Sequence, residues 1–138
     1  RGEIFRQLRR IRGWVPMDGT FALGPGPKIS ERIRQRAYEF SRCITCGCCL
    51  EACPQFSGRS QFIGPLFIGQ IMLFNDHPTG AELREERLDV LAEPGGIAEC
   101  GNAQNCQKVC PKDIPLLDAI AHLGWQTTSH AISRFLDR

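Results

Sequence analysis

The sequence predicts an all-α protein, and three observations lead to this fold class. Apolar residues recur at helical spacing in several segments, glycines and prolines separate those segments, and no run of alternating β-branched residues indicates a strand. The length of 138 residues, with 42% hydrophobic and 23% charged residues, is typical of one globular domain.

The N-terminal part of the chain predicts two helices joined by a linker. Residues 3–11 carry apolar side chains at helical spacing, and we expect the arginines of this helix on a solvated or partner-facing side. The stretch GWVPMDGTFALGPGPK, residues 13–28, is rich in Gly and Pro and predicts a linker. Ser30 is a predicted N-cap, and the apolar stripe of the helix that follows ends at Phe40 and leads to Cys43.

The rest of the chain predicts three further helices. A short buried helix begins with a proline over residues 65–74, and Thr79 with Glu82 forms a predicted capping box before LREERLDVLAE, which EPGG ends. Pro115 begins the last helix, in which we expect Trp125 to lie in the core. The predicted apolar face of this helix comprises Leu117, Ile120, Ala121 and Gly124.

Charge and hydropathy exclude several classes of protein. The net charge of +2 does not favour a nucleic-acid partner. The longest apolar stretch, residues 62–74, is interrupted by glycines, a proline and a glutamine, and it falls short of the roughly 20 residues that span a bilayer. Charged first residues argue against a signal peptide. Because the sequence begins with Arg1, we expect a processed product, a split subunit or part of something longer.

The cysteines suggest three kinds of site. Four disulfides are disfavoured, because neighbours such as Cys48 and Cys49 cannot bridge without strain. Zinc is disfavoured because the second group, spaced C-x5-C-x3-C, supplies no close pair of ligands. An electron-carrying cluster remains. The eight cysteines are Cys43, Cys46, Cys48, Cys49 and Cys53, followed by Cys100, Cys106 and Cys110.

The first group contains the pattern C-x2-C-x2-C-x3-C-P, which ends at Pro54 and is typical of bacterial ferredoxins. Three thiolates on one tight loop can each reach a different iron of a cuboidal cluster, whereas the fourth cysteine faces a second cluster. The second group resembles the matching half, but Ala103 stands where a ligand is expected, and alanine cannot bind iron. Three thiolates suit a [3Fe-4S] centre.

The predicted ligand sets therefore cross between the two groups. Cys48 is left over, and we expect it to be a small buried residue beside the cluster. The predicted [4Fe-4S] ligands are Cys43, Cys46, Cys49 and Cys110, and the predicted [3Fe-4S] ligands are Cys53, Cys100 and Cys106.

The segments CITCGCCLEACP and CGNAQNCQKVCPKDIP, in this order and spacing, resemble the C-terminal domain of the iron–sulfur subunit of succinate dehydrogenase and fumarate reductase. VPMDGTFALGPGP, NDHPTG and GGIAECGN look like the bacterial form that reduces menaquinone. The resemblance implies an α-helical ferredoxin fold with two cubane-type clusters in residues 30–138, preceded by a helix and linker in residues 1–29. It also implies a place at the cytoplasmic face of the bacterial cell membrane.

The resemblance further implies that electrons pass from an FAD-containing flavoprotein through [2Fe-2S], [4Fe-4S] and [3Fe-4S] clusters to quinone at a membrane-anchor cytochrome b subunit with haem b. The C-x4-C-x2-C run of the [2Fe-2S] domain is absent from these residues, so we expect it on a missing N-terminal part or on another chain. Gly58 and Gly101 stand where ubiquinone-reducing members have a tryptophan and a histidine. Candidates near the quinone are Pro54, Gln55 and Ala103.

Two other functions remain open. One is a two-cluster subunit of the glycolate oxidase, anaerobic glycerol-3-phosphate dehydrogenase or heterodisulfide reductase type, which Ala103 opposes. The other is a structural protein that metal or disulfides hold together.

We expect three histidines, His77, His122 and His130, to lie at the surface or to be hydrogen-bonded in the core. Lys108 and Lys112 flank Cys110, where positive charge favours the reduced cluster. An exposed patch for partners is predicted from Phe56, Phe62, Leu66 and Phe67.

Overall fold

The computed structural model describes residues 2–16 and 28–137, and within these ranges it contains helices and no strands, which confirms the all-α prediction. Most of the predicted linker, residues 17–27, lies outside the described residues. The α-helices are α1 (Gly2–Arg10), α2 (Glu31–Ser41), α3 (Cys48–Glu51), α4 (Pro65–Asp76), α5 (Arg84–Ala92), α6 (Asn105–Lys108) and α7 (Leu116–Leu136). Two 3-10 turns cover Gly80–Leu83 and Ile97–Glu99.

Helix α4 is the centre of the fold. It begins with the predicted proline, and α2, α3 and α7 all pack against it. Because helices cover it on several sides, Leu66 and Phe67 are 2% and 0% exposed, and Phe62 just before it is 2% exposed. The predicted exposed patch is therefore wrong for these three residues, and only Phe56 keeps part of its surface in solvent.

The starts of α2 and α7 follow local hydrogen bonding. The Ser30 hydroxyl accepts a hydrogen bond from the Ile33 N–H at 3.4 Å, which confirms the predicted N-cap. Pro115 precedes the first residue of α7, as predicted. The Leu117 N–H donates to Gln107 Oε1 at 3.1 Å, so a side chain from α6 satisfies a free amide at the start of α7.

The buried face of α7 differs from the prediction. Trp125 is 68% exposed and Ala121 is also exposed, so neither lies in the core. A helix turns once in about 3.6 residues, and a residue midway between Leu123 and Thr127 therefore points away from the row that they share. The residues that this helix buries are Leu116, Ala119, Leu123 and Thr127.

The segment before α5 also differs from the prediction. A 3-10 turn stands between Thr79 and α5, and the Thr79 side chain makes no capping hydrogen bond, so the predicted capping box does not form. Its buried hydroxyl has no hydrogen-bond partner in the part of the chain that the structure describes. At the other end, EPGG ends α5 as predicted, and the Ile63 N–H donates to the Gly95 carbonyl at 2.9 Å.

Arg87 on α5 joins the N-terminal segment to the main body. Its side chain is 0% exposed, and burial lowers its pKa to about 10. The guanidinium donates to the carbonyls of Arg12 at 3.1 Å and Trp14 at 2.9 Å. It also donates to Asn75 Oδ1 at 2.9 Å and to the Gly80 carbonyl at 2.6 Å. One buried cation thus satisfies four acceptors.

The predicted division of the chain into residues 1–29 and the domain of residues 30–138 stays a prediction.

Candidate functional site

One partly open cavity of about 440 Å³ is bordered by Cys43, Cys46, Cys49 and Cys110. The first two lie in the loop between α2 and α3, the third lies on α3, and the last follows α6. The structure thus brings together the four cysteines that the sequence predicts for one cluster. Apolar side chains supply most of the remaining wall, namely Phe40, Ile44, Leu66, Ile114 and Leu116.

The loop that carries Cys43 and Cys46 turns sharply. Thr45 has a φ of 52° and Gly47 a φ of 84°, so two left-handed residues curl the backbone around the cavity. The Leu50 N–H donates to the Gly47 carbonyl at 2.9 Å and holds the loop to α3. The sequence predicts a tight loop here from the cysteine spacing, but the left-handed conformation of Thr45 has no clear sequence signal.

Burial and mutual proximity dominate the electrostatics of this cavity. Burial, together with the nearby thiols of Cys43, Cys110 and Cys46, raises the pKa of Cys49 to about 12. Several adjacent thiolates are therefore unfavourable by themselves, and a cationic iron cluster would compensate their charge and release their protons. The Ile114 N–H points at Cys110 Sγ at 3.5 Å, which supplies one hydrogen bond to a ligand sulfur.

A second partly open cavity, of about 340 Å³, is bordered by Cys53, Cys100 and Cys106. Burial raises the pKa of Cys106, and the thiols of Cys100 and Cys53 contribute to the same effect. Ala103 also lines this cavity, at the position where the sequence lacks a fourth cysteine. The three predicted ligands of the second cluster thus lie around one space.

Amide side chains are concentrated at the mouth of the second cavity. Asn102 and Gln104 have φ values of 52° and 61°, so the loop between Cys100 and Cys106 contains two left-handed residues. A Cβ on Gly101 would lie 2.6 Å from Gln55 Nε2, which shows how closely the Gln55 amide covers this loop. The other predicted quinone-vicinity residue, Pro54, lines the same cavity.

Each cavity takes cysteines from both groups of the sequence. Cys53 is the last cysteine of the first motif but borders the second cavity, and Cys110 belongs to the second group but borders the first. Helices α3 and α6 pack together, and Asn105 Nδ2 donates to the Ala52 carbonyl at 3.1 Å between them. This contact, which the sequence does not reveal, fixes the two cysteine groups in one crossed arrangement.

The donor set and the cavities fit iron–sulfur clusters. Thiolates are the usual protein ligands of such clusters, and four cysteines border one cavity and three border the other. Within residues 2–16 and 28–137, no three His, Cys, Asp or Glu side chains are grouped as they would be around a single metal ion. The structure thus offers two multi-atom sites with thiol walls.

Cys48 lies outside both cavities. Its side chain is exposed, so the prediction of a buried residue beside the cluster is wrong. It is the first residue of α3, and that position faces the solvent side of the loop instead of the core. Of the two predicted lysines, Lys112 lines the first cavity, and Lys108 is exposed on α6.

The histidines lie away from the cysteine cavities. His77 is exposed and its Nδ1 accepts a hydrogen bond from the Gly80 N–H at 3.2 Å. His130 Nε2 lies 2.8 Å from Asp89 Oδ1, and His122 is half-buried. Burial lowers the pKa of His122, with a contribution from Arg36. These positions agree with the prediction of surface or satisfied histidines.

None of the helices in the described part of the chain combines the length and the apolar character that crossing a bilayer requires.

Comparison with known proteins identifies the kind of domain that carries these cysteines. Residues 39–114 match the family model described as a 4Fe-4S dicluster domain. The chain is 50% identical over 135 residues to the succinate dehydrogenase iron-sulfur subunit of Bacillus subtilis (strain 168). The aligned region covers 98% of this chain and 53% of the relative. The fumarate reductase iron-sulfur subunit of Wolinella succinogenes is 29% identical over 119 residues, covering 83% of this chain and 48% of that subunit.

A third relative, the fumarate reductase iron-sulfur subunit of Escherichia coli O6:H1, is 36% identical over 119 residues, covering 86% of this chain and 48% of the relative. The chain thus spans about half the length of the curated relatives that it matches. These similarities confirm the predicted resemblance to iron–sulfur subunits of succinate dehydrogenase and fumarate reductase. With more than half of its residues inside the matching model, the chain belongs to the 4Fe-4S dicluster domain family.

Proposed function

We propose that this chain is the electron-transfer part of the iron–sulfur subunit of a succinate:quinone oxidoreductase, respiratory complex II. The observation that carries the proposal is the pair of cavities, one bordered by four cysteines and the other by three cysteines and Ala103. Similarity to the Bacillus subtilis succinate dehydrogenase subunit over 98% of this chain supports the same function. The fold that we propose is the α-helical ferredoxin fold.

The first cavity would hold a [4Fe-4S] cluster through Cys43, Cys46, Cys49 and Cys110. The second would hold a [3Fe-4S] cluster through Cys53, Cys100 and Cys106, with Ala103 at the corner that lacks a ligand. When bound, such clusters accept and release one electron at a time. The chain would fix their positions with thiolates, and apolar side chains would shield the inner wall of the four-cysteine cavity, whereas Cys46 stays exposed.

The proposed direction of transfer is the one that the resemblance to succinate dehydrogenase subunits implies. Electrons would enter at the four-cysteine side from a [2Fe-2S] module reduced by an FAD-containing flavoprotein, near Cys49 and Cys110. They would leave at the three-cysteine side toward quinone, near Pro54, Gln55 and Ala103. A membrane-anchor cytochrome b subunit with haem b would contact this side, near Cys53 and Cys106. The subunit would thus lie peripherally at the cytoplasmic face of the bacterial cell membrane.

Fumarate reductase is the second candidate function. It is supported by the Wolinella succinogenes and Escherichia coli relatives, which are fumarate reductase subunits with 29% and 36% identity. The same pair of clusters would then carry electrons from quinol toward the flavoprotein. The two functions share the proposed sites and differ in direction.

Electron paramagnetic resonance on the air-oxidised complex tests the proposal. A [3Fe-4S] signal in the oxidised sample and a [4Fe-4S] signal after reduction are expected. Mass spectrometry of the same preparation should identify a flavoprotein and a membrane-anchor chain. A colourless preparation with stoichiometric zinc would overturn the proposal, and two four-iron signals without a three-iron signal would overturn the assignment of the second cavity.

A further inference from the structure

Cys48 is the one cysteine that the proposed clusters do not use, and it lies close to Cys46, a proposed ligand of the four-iron cluster. The two cysteines are separated only by Gly47, whose left-handed backbone turns the loop sharply between them. Both side chains are exposed, and both border the same surface groove, with Gly47 between them. Two thiols therefore stand at one edge of the four-cysteine cavity where one ligand is required.

The backbone aims Cys48 toward this edge. Side chains on a helix tilt toward its N-terminal end, and Cys48 is the first residue of α3, so its side chain tilts back toward the loop that carries Cys46. Gly47 has a φ of 84°, and this left-handed residue brings the two cysteines to the same side of the loop.

Among the four proposed ligands, Cys46 is the most open to solvent. Cys49 is buried, Cys43 and Cys110 are partly buried, and Cys46 is exposed. A bond from iron to Cys46 is therefore the one that water and oxidants reach first. Cys48 therefore lies beside Cys46, the ligand whose loss is most expected.

We propose that Cys48 is a substitute ligand, which binds the four-iron cluster at the corner of Cys46 when the Cys46 thiolate is lost. The proposal rests on the proposed function, because it requires a cluster in the first cavity. In the exchange, the Cys48 S–H bond breaks, its proton passes to water, and its sulfur forms a bond to the iron that Cys46 has left. No electron is gained or lost.

Alanine variants within the assembled complex separate a substitute ligand from a bystander. C46A is expected to keep the four-iron cluster with a shifted paramagnetic resonance spectrum, whereas C46A/C48A loses that cluster. C43A is the matched control, because no cysteine adjoins Cys43 in the loop, and it is expected to lose the cluster as well. C48A is expected to keep the wild-type spectrum.

Thiol labelling gives a second readout that does not depend on activity. In the wild-type complex, N-ethylmaleimide should label Cys48, since it is exposed and unbound, and peptide mass spectrometry would locate the label. In C46A with its cluster intact, Cys48 should become protected, with labelling falling at least tenfold. Removal of the cluster with a chelator should restore the labelling in C46A.

The outcomes distinguish the two proposals. Loss of the four-iron signal in C46A, with the three-iron signal retained as evidence of folding, would overturn the substitute-ligand proposal alone. Unchanged labelling of Cys48 in a cluster-bearing C46A would do the same. Loss of the cluster in C48A would instead make Cys48 a primary ligand. Absence of a four-iron signal in the wild-type complex would overturn the proposed function.

Discussion

The two cysteine cavities are built from the same kind of sequence motif but differ in their walls. The four-cysteine cavity is lined mainly by apolar side chains, with Lys112 as its cation. The three-cysteine cavity has amide side chains at its mouth, including Gln55, Asn102 and Gln104. Low polarity and more thiolates disfavour the addition of an electron, whereas polar groups and fewer thiolates favour it. With the proposed clusters bound, this difference would favour electron transfer from the first cavity to the second.

The largest effect is expected from a variant that gives both cavities four cysteines. Ala103→Cys supplies a fourth thiol to the second cavity, where Ala103 already forms part of the wall. The oxidised three-iron signal should disappear, a second four-iron signal should appear on reduction, and quinone reduction should slow because the potential of this cluster falls. The paramagnetic resonance spectrum and a redox titration measure both changes.

The control for Ala103→Cys adds a thiol elsewhere. Ala121 is exposed on α7 and lines neither cysteine cavity, so Ala121→Cys should leave both signals intact. A three-iron signal that persists in Ala103→Cys would show that Ala103 is not at the open corner.

The next test changes α4, because this helix packs against α3 and therefore affects both cavities. Gly64, at the start of α4, has a φ of 90°, and a Cβ there would collide with Leu50 and lie 2.9 Å from Phe56 Cδ2. Strain and overpacking together should lower the stability of the chain by about 3 kcal/mol. Since α4 packs against α3, which carries or adjoins cysteines of both cavities, Gly64→Ala should weaken the retention of both clusters.

Gly47→Ala is the matched variant. Its φ of 84° and ψ of −3° are left-handed helical and cost alanine less than the ψ of 158° at Gly64, and a Cβ there would meet nothing within 4 Å, so the cost should be about 1 kcal/mol. Thermal loss of visible absorbance and of each cluster signal measures both variants. Equal losses in the two variants would show that neither the backbone conformation nor crowding at Gly64 adds to the cost.

A smaller effect is expected from the cation of the first cavity. Lys112→Gln removes a positive charge from its wall, so the reduced, more negative cluster loses stabilisation and the four-iron potential should fall. The shift should be about 60 mV or less, which corresponds to a tenfold change for a one-electron couple. Lys108→Gln, at an exposed position outside both cavities, should shift it less. A larger shift of the three-iron potential would contradict the assigned location.

The smallest effect is expected at the mouth of the second cavity. Gly101→Ala would push the Gln55 amide, because the new Cβ would lie 2.6 Å from Gln55 Nε2. The far end of a flexible side chain moves at little cost, so stability should change by no more than about 0.5 kcal/mol. Displacement of the amide should nevertheless alter the KM for quinone in the complex. An unchanged KM together with an unchanged three-iron spectrum would argue against a role of Gln55 at this mouth.

Local sequence patterns predicted the helices and the grouping of cysteines well. Ser30 and Pro115 mark helix starts because caps and prolines act through neighbouring residues. The cysteine spacing is equally local, since a short loop has few ways to place three thiols around one space. Cysteines of each set indeed border a common cavity, although their binding to iron stays a prediction.

Predictions of burial failed where they depended on distant partners. Phe62 and Phe67 resemble an exposed patch until α2 and α7 cover α4, and nothing in the local sequence indicates that cover. Trp125 is apolar, but the rotation of α7 is fixed by the row that contains Leu123, so it points to solvent. The contact of His130 with Asp89 joins residues far apart in the sequence, and no spacing rule predicts it.

The buried Arg87 side chain anchors the turn that follows α1 to the main body. Opening of this turn would release the carbonyls of Arg12 and Trp14, expose Ile11, and leave a buried cation with two of its acceptors lost. Helix α1 itself buries no residue, so its first amides should exchange with deuterium quickly, whereas the amides of Ile11 and Gly13 in the anchored turn should exchange at rates closer to those of α4. Heat or denaturant should then release this turn together with the cysteine cavities, in a single transition.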